Sequence, residues 1–476
     1  MTEPKEEDAA EGGAEFPAEV VAAHAGLGET SVAFLAEAGR NPSFLRRANF
    51  SRLFERGEVV RFAAQPWPTF VGPEAIERMA AATRAVDALI KRIPDLLFGR
   101  SPQKIAEFYQ LGNPFLASLL IESPNGIAEA MARGDFLDTP RGLRCIEWNC
   151  GSYLGGWDTE LLFPSLALGT PVEDFLARRG RRFEPHPTIR ALLGHMARTA
   201  VRCKVWTSGP LNLGLIVRPT QPHRSADYRP DLYQEEYRRA LSAIDGPAEG
   251  DVILCGYDDL EERQGTMVFG DRRVHAVFEL HDGTTSKSAF RAAKAGGLQL
   301  FSGPITAVLS DKRNLALLSE RVGDDIFSES ERSDIERYVP WTRSIADVRT
   351  RAEGQEVRLP EYLIERRNHL VIKHGRSVAG SQVHLGPGTP ESRWSDLVRN
   401  ALDEGMWVAQ ELLPSLPYAY QSGDEGWEVH DLVWGLFSLG GDFGGGFVRL
   451  LPRRLAGVIN SSRGAETSLL LEETGL

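Results

Sequence analysis

No run in the 476-residue chain approaches the roughly 20 apolar residues that span a bilayer, so a membrane protein is not expected. The N-terminus lacks the charged-then-apolar layout of a secretory signal, which makes a cytoplasmic location the expectation. Cysteine is scarce. Cys145, Cys150, Cys203 and Cys255 stand at unrelated spacings, forming neither a CxxC pair nor a disulfide framework, so structural zinc is not expected. The ten histidines show no HExxH and no paired metal spacing, and are assigned to surface or core. Positive charge is also short. The net charge is −12, which argues against sequence-independent nucleic-acid binding and gives no support for docking on anionic lipid. Neither common nucleotide fingerprint occurs, since there is no GxxxxGK[ST] and no GxGxxG. No internal repeat is found.

What is present is the balance of a soluble globular protein, 42% hydrophobic and 25% charged, in a chain too long for one ordinary core. Residues 1–30 read as an acidic tail, its first half solvated and without fixed structure. Residues 31–205, 206–345 and 346–476 are the expected domains: an N-terminal region, a central α/β domain and a C-terminal region. From Gly72 to Leu97 the spacing of Ile76, Met79, Ala80, Thr83, Val86 and Leu89 predicts a helix, with Pro73 in its first turn. Strands are expected at 141–149, 210–218, 252–256, 275–280, 369–373 and 406–412. Helices are expected at 230–244, 287–296 and 390–403, and from about Asp311, with Thr389 as N-cap of the third. The glycine-heavy stretch 440–446 is expected to precede a final strand carrying Arg449. This alternation means α/β or α+β.

Alternate residues of a strand share a face, so Glu147 and Asn149 of Cys145-Ile146-Glu147-Trp148-Asn149 point the same way. Ile146 and Trp148 then face packing, and Cys145 shares the parity of Glu147. A carboxylate beside an amide oxygen suits a hard cation such as Mg²⁺ that bridges to nucleotide phosphates. The loop from Cys150 to Gly156 carries glycines that let backbone approach a ligand. Taken alone, Glu-x-Asn is short, and a strand with polar residues facing water carries it equally well. Upstream, Arg133-Gly134-Asp135 has the same two-residue spacing.

Far downstream, His369-Leu370-Val371-Ile372-Lys373 is an apolar strand ending in a lysine. A loop with Gly375 and Gly380 follows, then a helix, then Trp407-Val408-Ala409-Gln410-Glu411. A strand-end lysine can reach a phosphate as a point charge, and backbone N–H groups of the loop can cover phosphates. Gln410 and Glu411 can meet adenine and ribose. A generic strand–loop–helix–strand with a surface lysine would read the same way.

Together, the order Arg-x-Asp, Glu-x-Asn, distant lysine and Gln-Glu resembles the circularly permuted ATP-grasp proteins. These include eukaryotic-type glutathione synthetase and the glutathionylspermidine synthase-like group. The resemblance spans roughly residues 60–470 on few, short motifs. It implies an ATP-grasp fold in permuted order, with a mobile lid at about 365–420. It implies Glu147 and Asn149 as Mg²⁺ ligands, and Lys373 on the ATP phosphates. Gln410 and Glu411 become the adenine and ribose hinge, and Asp431 an acidic nucleotide contact. Arg133 and Arg449 fall on the reacting carboxylate or acyl phosphate. Asp135, Ser152 and Asn460 fall on the substrates. Ser377 stands in the nucleotide loop where the family has an acidic metal ligand, and His374 where it has proline. The stretch from Ser302 to Lys312 resembles the link ahead of the ATP-binding half, though the second ATP lysine of glutathione synthetases is not evident there. Pro340-x-Thr342 resembles the short motif that follows.

The implied activity is an ATP-dependent carboxylate–amine ligase that forms an amide or peptide bond through an acyl phosphate, using ATP and Mg²⁺. The implied partners are small-molecule or peptide acids and amines, with a homodimer the expected assembly. Two other readings stay open: a degenerate ATP-grasp protein that binds nucleotide without ligating, and an ATP-grasp small-molecule kinase.

Overall fold

The structure is a computed structural model that describes residues 16–40, 63–122, 126–217, 230–280, 285–377, 380–422 and 426–475. Its largest sheet is antiparallel. Gly142–Cys150 pairs with Met131–Thr139, which pairs with the long strand Gly426–Leu439. Asp442–Pro452 and Glu466–Ser468 lie beyond that strand, and Tyr418–Ser422 pairs with its first part. Side-chain alternation, broken at a bulge, divides this sheet into two faces. Phe136, Trp148, Trp434, Leu436, Val448 and Leu450 enter the main core, while Arg133, Asp135, Glu147, Asn149 and Arg449 take the other face.

The helix Pro73–Leu96 covers the apolar face. Gly72 is extended before it, and Pro73 meets no penalty in a first turn whose N–H groups are unpaired anyway. Val86, Leu89, Ile90 and Ile93 are at most 2% exposed, and burial of each contributes about 1.5–3 kcal/mol. The expected tail over residues 1–30 is corrected in its second half. Ala18–Leu27 is a helix whose Val20, Ala23 and Leu27 join the main core; residues 1–15 lie outside the described residues.

A second antiparallel sheet has the order Thr342–Ser344, Trp407–Glu411, Leu370–His374, Val383–Leu385. Leu370 and Ile372 pack on Trp394, Val398 and Ala401 of the helix Glu391–Glu404, leaving Val371 and Lys373 on the opposite face. That helix starts one residue later than expected. Pro390 holds the cap position in extended conformation, and Thr389 turns its hydroxyl back to the Leu385 carbonyl at 2.8 Å instead of capping. Gly405 ends the helix at φ +67°, a left-handed conformation that costs glycine nothing.

The third sheet is parallel, in the order Gln299–Leu300, Ala276–Glu279, Leu213–Ile216, Val252–Cys255. Both faces are covered, as parallel sheets require. Thr188–Arg202 and Pro230–Leu241 contribute to one apolar cluster, and Lys287–Lys294 to another. The expectation of a mixed α/β protein holds. No helix of the described residues is long and apolar enough to cross a membrane.

One sequence expectation, that the strand carrying Arg449 is the last, fails for a topological reason. Gly440 and Gly441 sit at φ +68° and +102° in the turn that joins Gly426–Leu439 to Asp442–Pro452, so the glycine stretch makes a hairpin. The strand carrying Arg449 is not the last, because Glu466–Ser468 and Leu470–Gly475 follow. The sheets also cross the expected boundaries. Thr342–Ser344, from 206–345, joins strands of 346–476, and Gly426–Leu439 joins the N-terminal strands.

Candidate active site

The polar face of the large sheet forms one wall of a cavity of about 1190 Å³. Register sets the arrangement on that wall. Asn149 lies opposite Arg133, and Glu147 opposite Asp135. Arg133 donates through Nε and Nη2 to Asp135 at 2.8 and 3.2 Å, and Arg449 Nη2 donates to the same carboxylate at 2.6 Å. Burial alone would raise the Asp135 pKa, but Arg133 and Arg449 outweigh it and hold the group at about 2. The three side chains therefore carry one net positive charge.

Alternation breaks at a β-bulge between Asp135 and Phe136, where Cys145 becomes the partner of Phe136 and Ile146 has none. This corrects two expectations. Ile146 lines the cavity, and Cys145 is fully buried in the main core. Burial pushes the Cys145 thiol far above its ordinary range, and at 0% exposure it stands away from the cavity, which speaks against a nucleophilic role. The carbonyl of Ile146, off the ladder, accepts from Lys373 Nζ at 2.9 Å.

Lys373 comes from the second sheet. Its Nζ also donates to Gln410 Oε1 at 2.8 Å, and Gln410 Nε2 donates to Thr342 Oγ1 at 3.1 Å. Gln410 lines the cavity, yet its side chain holds the lysine, and Thr342 orients that side chain. Burial lowers the Lys373 pKa, Glu147 pulls it back up and Lys312 lowers it further, leaving it at about 8. Glu411 accepts from the Trp341 N–H at 3.2 Å and from Arg141 at 3.0 Å. Asp431 accepts from Arg453 Nε at 2.8 Å. Asn460 uses its Oδ1 to cap the Ser462 N–H at 2.9 Å. All three line the cavity.

Ser377 does not reach the cavity. It is buried, its hydroxyl donates to the His374 carbonyl at 3.1 Å, and its carbonyl accepts from Lys312 Nζ at 2.6 Å. The expectation that it binds nucleotide is corrected on that geometry. Sequence reasoning gave Lys312 no site role, although it ends the stretch that starts at Ser302. Lys312 is 5% exposed, with Nζ 3.3 Å from Glu147 Oε1. A charged residue after apolar Ile305, Val308 and Leu309 was the available signal, but only folding brings it to Glu147.

Ser152 is also in place, through partners that the sequence did not suggest. Its Oγ donates to Glu279 Oε2 at 2.9 Å and lies 2.6 Å from Ser302 Oγ. Glu279 ends a strand of the parallel sheet, where ligands of such sheets commonly sit. Gly156, at φ +94°, leaves no room for a Cβ against the Phe447 ring, on which Arg133 stacks at 5.6 Å.

The donor set fits a hard cation only in company. Of the cavity-lining carboxylates on the sheet, Asp135 and Asp431 are held by arginines, which leaves Glu147, with the Asn149 amide beside it. Among the described residues no group of three His, Cys, Asp or Glu side chains could hold a metal by itself. Mg²⁺ suits such a set, because it keeps waters and phosphate oxygens around one or two protein ligands. Among the described residues Asn149 Nδ2 and Arg449 Nε are buried without hydrogen-bond partners, which leaves polar capacity open at the cavity wall.

No family model matches the chain. No curated protein matches it by sequence. Among solved structures it is similar to a glutathione synthetase-like effector from Globodera pallida in the apo form. Identity is 12%, over 92% of this chain and 96% of that one, with a TM-score of 0.57. A candidate gamma-glutamylcysteine synthetase from Methylobacillus flagellatus overlaps at 13% identity, over 82% of this chain and 88% of that one, with a TM-score of 0.38, too loose to argue from. The first likeness shows a shared fold and nothing beyond it.

Proposed function

We propose that the protein is an ATP-dependent carboxylate–amine ligase of the ATP-grasp type, in circularly permuted order. The observation that carries this reading is the pairing of Arg133 with Asn149 and Asp135 with Glu147, with Lys373 reaching across from a second sheet to the Ile146 carbonyl. A shared fold with a glutathione synthetase-like effector supports it.

Mg²⁺–ATP would supply the phosphoryl group that converts a substrate carboxylate to an acyl phosphate, releasing ADP. Attack by an amine on that carbonyl then forms the amide, releases phosphate and frees the proton of the amine. The residues would position and neutralise. Glu147 and Asn149 would hold the cation. Lys373 would place its charge on phosphate, set by Gln410 and Ile146. Glu411 and Asp431 would meet the nucleoside. Arg133 and Arg449 would hold the reacting carboxylate, each with N–H groups directed at oxygens. The segment 365–420 would close over the nucleotide and keep water from the acyl phosphate.

Ser377, turned from the cavity and lacking a carboxylate, favours a second reading, a nucleotide-binding protein that does not ligate. A small-molecule kinase is the third. Protein incubated with Mg²⁺–ATP and mixed acids and amines separates them. ADP release that requires both an acid and an amine supports the ligase, and release with one hydroxyl compound supports the kinase. Nucleotide binding without turnover supports the second reading, and no nucleotide binding by calorimetry removes all three. Glu147→Ala and Lys373→Ala should each abolish turnover while the circular dichroism spectrum is kept. Unchanged turnover in both would refute the site.

A further inference from the structure

Five carboxylates in the described structure are deeply buried: Asp87, Glu129, Asp135, Glu279 and Asp311. Four of them hold a cation. Lys91 is 2.7 Å from Asp87, Arg202 2.7 Å from Glu129, Arg449 2.6 Å from Asp135 and Arg313 2.7 Å from Asp311. Glu279 is the exception. Its partners are three neutral hydroxyls: Tyr257 and Thr285, each at 2.7 Å from Oε1, and Ser152 at 2.9 Å from Oε2. Among the described residues no lysine, arginine or histidine pairs with it. A buried carboxylate is costly without an opposite charge, and three hydroxyls offset only part of that cost.

Glu279 also reaches the cavity. A carboxylate oxygen accepts about two hydrogen bonds. Among the described residues Oε1 has both and Oε2 has one, so a single acceptor position remains beside Ser152. The bidentate fork that a guanidinium prefers would want two free acceptor positions, whereas a single N–H of a compact ammonium fills one. A divalent metal would want further oxygen ligands of high charge, and no such group of side chains is present among the described residues.

We propose that Glu279 is the counter-charge for a primary ammonium group of the substrate, held at the Ser152 end of the cavity. The inference rests on the reading of this cavity as the substrate site, though not on ATP chemistry. Arg133 and Arg449 line the same cavity and carry the opposite sign, so a molecule bearing both an acid and an ammonium would find a partner for each.

Ligand-observed saturation-transfer NMR tests this with two pools. One contains L-amino acids and putrescine, and the other their N-acetylated counterparts. Both are run with and without Mg²⁺–ADP. The wild-type chain should bind members of the ammonium pool and not their acetylated forms. Glu279→Gln, which keeps the shape, should weaken binding about ten- to hundred-fold, the scale of one charge-assisted hydrogen bond. Which members bind identifies the class, amino acid or polyamine. Equal binding of both pools, binding of neither, or undiminished binding by a folded Glu279→Gln chain would overturn the proposal. The wild-type comparison needs no variant, so a Glu279→Gln chain that failed to fold would not shield the idea. Calorimetry with Mg²⁺–ATP is a separate measurement. Its failure would remove the ligase reading and leave the ammonium result standing.

Discussion

Asp135 shows how one carboxylate can carry a site. It is shared by the part-buried Arg133 and the buried Arg449, and it is the one negative charge of the triad. Asp135→Asn should therefore destabilise by about 3–5 kcal/mol, the cost of stranding a buried charge. The folded pKa of about 2 lies below the unfolded value of about 3.9, so the contribution is present above the unfolded value. It is lost as pH falls toward 2. Urea unfolding should show the gap between wild type and Asp135→Asn narrowing in acid, and a gap constant down to pH about 2 would contradict the assignment. Lys373 makes the opposite kind of prediction. It is a cation below about 8 and neutral above. If its charge serves phosphate, Mg²⁺–ATP affinity should fall as pH rises through 8, and Lys373→Arg should abolish that dependence. Calorimetry across this range decides it.

At the scale of the element, the bulge matters more than any one motif residue. Regular alternation would place Cys145 on the cavity face with Glu147. The extra residue, Ile146, sends Cys145 into the core and gives Lys373 a carbonyl to hold. Gly134, between Arg133 and Asp135, is fixed by packing rather than by backbone angle. A Cβ there would collide with the rings of Phe136 and Trp148. Gly134→Val should cost about 1–3 kcal/mol by overpacking, and should weaken ligand binding because its neighbours are the site pair. Denaturant unfolding that matched wild type would show that the rings yield freely. The sequence made Glu147, Asn149, Arg133 and Asp135 legible as a group because their spacing of two survives in paired strands. Bulges have no comparable signature, so the fate of Cys145 and Ile146 was not legible.

At the scale of the molecule, the cavity is shared among three sheets. The large sheet carries Glu147 and Arg449, the second Lys373 and Gln410, and the parallel sheet Glu279. A ligand bound to the folded chain alone would stabilise the whole, by about 2.7 kcal/mol at one hundred times its Kd. Mg²⁺–ATP should accordingly raise the unfolding temperature in scanning calorimetry, and Asn149→Ala should remove most of the increase. An equal increase in both proteins would place the nucleotide elsewhere.

What the sequence determined by itself is local and periodic. It was enough for the helix at Pro73–Leu96, the shared face of Glu147 and Asn149, the strand that carries Lys373 and the mixed α/β class. Each follows from side-chain period and turn chemistry within a few residues. Only the tertiary structure decided which distant residues meet. It brought Lys312 to Glu147, Ser152 to Glu279 and Gln410 to Lys373, and it turned Ser377 away. Those outcomes depend on sheet register, a bulge and the docking of strands far apart in the chain, where no local pattern reports the partner.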